Sequence, residues 1–174
     1  MTLERKFWLF WIGGLVIFAL ARIPHGPLAI DAVPGGILDH QAAGSGAIVD
    51  QIQAAWRAAG LRNTAIFAMC HDLVFIGVYG LGSYWAGRLF MADIARPKLA
   101  LLGKIIMQAA IVFIITDYVE TTLQLIQLLQ ERGVDWMAAT AAFMQPIKIA
   151  AWIITFVGTI SALIVRRTTR APVD

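Results

Sequence analysis

The chain has a single cysteine, Cys70, and it lies inside an apolar run. An intrachain disulfide, a CxxC redox pair and a cysteine-based metal site are therefore all excluded. Charge is scarce too: Asp, Glu, Lys and Arg make up 14% of the 174 residues. A soluble domain of this length needs more polar surface than that to stay in solution. The sequence also lacks Gly/Ser linkers, low-complexity stretches and internal repeats, so one domain spanning residues 1–174 is expected. The net charge of +3 does not point to nucleic acid, because the basic residues sit at the ends of apolar runs and not along one solvated face.

Apolar residues are what the chain has in excess: 59% of it is hydrophobic. A helix needs about 20 mostly apolar residues to cross a hydrocarbon core roughly 30 Å thick. Four stretches qualify, at about residues 7–23, 64–87, 99–129 and 141–165. The runs are continuous and lack the alternation of a membrane β-barrel. The expected fold is an all-α membrane protein, a bundle of four transmembrane helices.

Orientation follows from lysine and arginine. Arg5 and Lys6 precede the first span, Arg88, Arg96, Lys98 and Lys104 flank the second link, and Arg166, Arg167 and Arg170 follow the fourth span. With four crossings these groups share one side, so both termini are expected in the cytoplasm. Ala19-Leu20-Ala21 has the small-x-small form of a signal-peptidase site. No polar stretch separates it from the apolar run, however, and Arg22-Ile23-Pro24 follows awkwardly, which favours an uncleaved anchor. Cleavage would leave three spans in the same orientation.

The external segment, residues 24–62, divides in two. PHGPLAIDAVPGG is rich in helix breakers and is expected to be irregular. SGAIVDQIQAAWRAAG reads as an amphipathic helix with Ser45 as its N-cap and Gly60 as its stop. Ile48, Ile52, Ala55, Trp56 and Ala59 would form its apolar face, opposite Asp50, Gln53 and Arg57. Trp56 suits an interfacial depth. Such a helix either covers a cavity or simply leads into the second span.

The third span contains Asp117, Glu120, Gln124 and Gln127 at spacings that place all four on one helical stripe. Charge in hydrocarbon costs on the order of 2.5–3.5 kcal/mol per residue on insertion scales, so the stripe should face the bundle interior. The second span offers His71, Asp72 and Tyr79, and the fourth Gln145 and Lys148. At 1.5 Å per residue from the basic boundary, Asp117, Asp72, Glu120 and Lys148 fall at roughly 20–27 Å, a common depth in the outer half. His71 points about 100° away from Asp72 around the helix. Glu120, the glutamines and Lys148 would simply be solvated if the third helix sat one turn further out. The three histidines, at positions 25, 40 and 71, show no i, i+4 pair, so neither a metal nor another cofactor is expected.

Three stretches, AGSGAIVDQIQAAW, DLVFIGVY and DYVE, give the chain a resemblance to the uncharacterised small four-helix integral proteins of the bacterial inner membrane. Thr121 stands where similar sequences often have Asn. The resemblance covers about half the chain and implies location and helix number but no catalytic role.

The functional expectation is binding or transport of a small or lipid-like ligand in a cavity open to the external side. Asp72, Tyr79, Asp117, Glu120, Gln124 and Lys148 would line it, with His71 nearby. Asp117 or Asp72 could exchange a proton as a ligand enters. An intramembrane enzyme acting on a lipid-like substrate is the alternative, with an Asp/Glu pair and Tyr79 or His71 as acid and base. A third possibility is a structural subunit whose acids pair with a membrane partner or a second copy. Membrane lipids are partners in every case.

Overall fold

The computed structural model describes residues 1–168, which leaves the expected Arg170 contribution outside the described residues. Those residues are all-helical, with no strand among them beyond one isolated bridge between Ile30 and Val33. The elements are α1 (Leu3–Leu20), α2 (Arg22–His25), a 3₁₀ turn (Gly26–Leu28), α3 (Ile37–Gln41), α4 (Gly46–Ala58), α5 (Arg62–Met91), α6 (Pro97–Gln130) and α7 (Asp135–Thr168). Four helical stretches are long and apolar enough to cross a membrane: Leu3–Leu28, α5, α6 and α7. Each extends beyond the span read from hydropathy, because the helices continue into polar ends.

Neighbouring helices pack in chain order, α1 on α5, α5 on α6 and α6 on α7. Glycine makes the first two contacts close. A Cβ placed on Gly14 would lie 2.5 Å from the Tyr79 Cα, and one on Gly87 would lie 2.5 Å from the Met107 amide. The buried face of α7 is small apart from Lys148: Ala138, Ala141, Ala151, Thr155, Thr159 and Ala162. Exposed Ile and Val line its opposite side, as lipid contact requires.

The two ends of the bundle are tied differently. At the basic end, Arg166 pairs with Glu4 at 3.0 Å and Arg96 donates to the Arg166 carbonyl at 3.2 Å. Arg96 also pairs with Asp93 in the turn before α6, which holds that half-buried carboxyl below its usual range. Lys6 and Arg88 lie over the Trp85 ring. The other end carries α3 and α4 as a cap. Asp135 accepts from the Gly46 amide at 2.8 Å, and Asp50 accepts from the Gly133 amide, so α4 is pinned to the α6–α7 turn. Glu131 ends α6 with φ +53° and pairs with Arg57 at 3.2 Å and Arg62 at 2.8 Å. Those two pairs help to hold a left-handed conformation that a non-glycine residue seldom adopts.

Two expectations for this segment need correction. Within residues 24–36, expected to be irregular, α2 runs on through His25 and a 3₁₀ turn spans Gly26–Leu28, while residues 29–36 hold turns and one bridge but no helix. Pro24 does not interrupt α2 because it sits in the first turn, where a missing N–H costs nothing. Ser45 caps α4 through the Ile48 amide, and Gly60 takes a positive φ just past its end. The buried face of α4, however, is Val49, Ile52, Gln53 and Trp56, while Ile48 is 44% exposed. Trp56 is fully buried and donates to the Leu28 carbonyl at 2.9 Å, so it packs into the protein core. Gln53 turns inward because it accepts from His40 Nε2 and donates to the Gln127 carbonyl, both at 3.3 Å.

Burial pushes the His40 pKa down to about 4. Above pH 6.5, the ordinary histidine value, folded and unfolded chains are both neutral here and the cap keeps its full stability. As pH falls from 6.5 to about 4, the unfolded chain takes up a proton that the folded cap refuses, and stability is lost. Hydrogen exchange across α4, corrected for its intrinsic pH dependence, should accelerate through this window. His40→Gln should flatten that response.

Candidate functional site

The α6 stripe is buried as its spacing requires. Asp117 is 5% exposed, Glu120 0%, Gln124 1% and Gln127 0%. Lys148 reaches this stripe from α7, two residues after Pro146. Proline lacks the N–H that would bond the Ala142 carbonyl, which loosens the helix on the approach to Lys148.

The Lys148 ammonium donates to Asp117 Oδ1 at 3.0 Å and to Glu120 Oε1 at 2.8 Å. Thr121 donates to the same Asp117 oxygen at 3.3 Å, and Gln124 to the same Glu120 oxygen at 3.5 Å. Glu120 Oε2 is buried with no hydrogen-bond partner. Asp72 lies close enough for its charge to act on Asp117. Its direct partner is His25 Nε2, 3.1 Å away. Three carboxylates thus share a layer with one ammonium and one imidazole. Its centre is packed shut, with the Asp117, Glu120 and Lys148 side chains 8%, 0% and 11% exposed, while Asp72 and His25 at its edge are half-buried.

The other expected members stand apart. Tyr79 is fully buried but belongs to a different layer, bonded to the Thr155 hydroxyl at 3.0 Å and stacked on Phe75. Gln127 serves the α6–α7 turn, accepting from the Val134 amide at 2.9 Å. His71 stays outside the ion-pair set, its Nδ1 buried without a hydrogen-bond partner. Two surface hollows of about 560 and 580 Å³ occur, one beside α3 and α4 and one along α6 and α7. None of the ion-pair residues lines either hollow.

Sequence reasoning missed His25 and Thr121. Thr121 was legible in principle, one turn from Asp117 on the same stripe. His25 was hidden because Pro24 suggested that the helix ends before it.

No protein-family model matches the chain, and comparison with curated proteins and with solved structures returns no match.

Proposed function

We propose that the protein is a multi-pass protein of the bacterial inner membrane that binds or transports a small or lipid-like ligand through the Lys148 layer. Both termini lie in the cytoplasm, and α4 is an amphipathic helix of the external cap. The basic end supports this orientation, since the positive-inside rule puts clustered Lys and Arg on the cytoplasmic side. The resemblance of three short stretches to small four-helix inner-membrane proteins agrees with it.

One observation carries the functional reading: carboxylates outnumber cations in a closed layer, and Glu120 keeps an unpartnered oxygen there. Excess negative charge in hydrocarbon must be met by a proton or by an arriving cation. A ligand that is cationic, or that enters in exchange for a proton, supplies what the layer lacks. Entry requires Lys148 to part from one acid, and Pro146 gives α7 a point at which to move.

The test is the Asp72→Asn, Asp117→Asn and Glu120→Gln set in a host and in proteoliposomes. Each amide keeps the shape and removes the charge. Loss of ligand uptake and of the associated growth phenotype, by tenfold or more for Asp117→Asn and Glu120→Gln, is the expected result. Unchanged uptake and fitness in the triple amide variant would end the proposal. A structural subunit is the second reading, favoured by the closure of the layer, and it predicts loss of a partner complex in place of loss of uptake.

A further inference from the structure

Charge at the basic end of the bundle is unevenly met. Its two described acids are committed, Glu4 to Arg166 and Asp93 to Arg96. Lys6 and Arg88 have no carboxylate partner among the described residues. Both stand instead over one indole, that of Trp85, the Lys6 ammonium at 4.6 Å and the Arg88 guanidinium at 5.7 Å from its centroid. The ring face attracts each cation but carries no net charge to offset them. Sharing one ring keeps the two charges within about 10 Å of each other, about one Debye length at 0.1 M salt, so they repel. Lys6 belongs to α1 and Arg88 to α5, so the repulsion acts across the seam between these helices. An anion bound there relieves it.

Deeper in the membrane, the same edge of this seam is apolar and notched. Residue numbers fall along α5 as they rise along α1: Lys6 meets Trp85, and a Cβ on Gly13 would lie 3.6 Å from the Val78 Cγ1. Lys6, Leu9, Gly13 and Val16 follow one stripe of α1, and Trp85, Leu81, Val78 and Val74 follow one stripe of α5. That register sets Leu9 level with Leu81, and Val16 level with Val74. These four are 62%, 41%, 53% and 56% exposed. Between the two exposed pairs, Gly13 has no side chain and Val78 is half-buried, which leaves a dip along the helix pair. The stretch from Lys6 to Val16 rises about 15 Å, half of a hydrocarbon core about 30 Å thick. A chain lying in the dip spans one leaflet.

We infer that the Lys6–Trp85–Arg88 edge of the α1–α5 seam is a binding site for an anionic phospholipid. Its phosphate neutralises the two cations, and one acyl chain lies in the groove between Leu9 and Val16. A zwitterionic lipid is disfavoured because its own ammonium stands beside its phosphate and faces Lys6 and Arg88. A free phosphate lacks the chain that the groove accommodates. Trp85 sits at the depth where tryptophan meets headgroups. The inference rests on the helices crossing a bilayer and not on the Lys148 layer.

The experiment is native mass spectrometry of the purified full-length protein from a nonionic detergent, with lipid added in steps. The probe is palmitoyl-oleoyl phosphatidylglycerol. Phosphatidylcholine with the same chains is the zwitterionic control, and glycerophosphoglycerol, the same headgroup without chains, tests for a plain anion site. One phosphatidylglycerol should bind at least about tenfold more tightly than phosphatidylcholine, and glycerophosphoglycerol should not saturate in the same range. Lys6→Gln/Arg88→Gln should weaken that first lipid about tenfold. Lys98→Gln/Lys104→Gln removes the same charge from the same end, but on α6 and outside the seam, and should weaken it less than about twofold. An equal loss from both pairs would overturn the inference, because only the diffuse charge of the basic end would then be at work. Equal binding of the two lipids, or glycerophosphoglycerol bound as tightly as the intact lipid, would overturn it too.

Discussion

Lys148→Met is expected to destabilise the folded protein by about 3–5 kcal/mol, because it leaves Asp117 and Glu120 buried with no counter-charge. Methionine preserves most of the apolar stem, so the loss is electrostatic rather than a matter of packing. Glu120 suffers most: its Oε1 keeps only the 3.5 Å contact from Gln124, and its Oε2 already has no partner. The sharper part of the prediction is compensation. In an Asp117→Asn/Glu120→Gln background the same Lys148→Met change should cost under about 1 kcal/mol, since replacing a whole buried ion-pair set by neutral groups is often neutral or stabilising. Thermal and denaturant unfolding in one detergent would measure both steps, provided each variant unfolds in a single cooperative transition. A single mutant as stable as the wild type would mean that water reaches the carboxylates, contrary to their burial. Function should not recover with stability. The compensated triple variant is expected to fold and to fail in uptake, which distinguishes a working ion-pair layer from a structural one.

The α6 stripe was legible because membrane helices invert the soluble pattern. Apolar residues cover the outside as well as the inside, so polar side chains mark the interior face, and Asp117, Glu120 and Gln124 fall there. Lys148 followed from depth alone, at one 1.5 Å step per residue. Depth could not say which groups at one level touch. Tyr79 shares the α5 face of Asp72 but lies seven residues further along, roughly 10 Å, and binds Thr155 instead. The buried face of α4 was misjudged for the opposite reason. Val49, Ile52 and Trp56 do join an apolar core with Leu28, Met69 and Leu128, but His40 and the Gln127 carbonyl draw Gln53 inward beside them, and Ile48 is left out. Pairing between distant segments, such as His25 with Asp72 or Glu131 with two arginines, leaves no periodic trace.

Gly103→Ala is expected to be among the most damaging single-methyl additions in the bundle. Its new Cβ would collide with the Met91 amide nitrogen and lie 2.7 Å from the Gly87 carbonyl oxygen. Backbone atoms cannot rotate away as a side chain does, so α5 and α6 must separate near their tight connecting turn. Overpacking of this kind costs about 1–3 kcal/mol, and backbone contact on both sides puts Gly103 at the upper end. Gly87→Ala should behave alike, since its Cβ would sit 2.5 Å from the Met107 amide. Gly13→Ala is the matched control: its nearest neighbour is the Val78 Cγ1 at 3.6 Å, an ordinary contact, and the gain in helix propensity should leave it neutral or slightly stabilised. Unfolding of the three variants side by side decides the matter, and equal stability would mean that the α5–α6 crossing is looser than its glycines imply. The contrast also bears on where the molecule can open. Seams closed by glycine at backbone contact have no slack. The α1–α7 side has no such backbone contact, since aromatic side chains meet there, and the proline-loosened turn that carries Lys148 is a second point of slack.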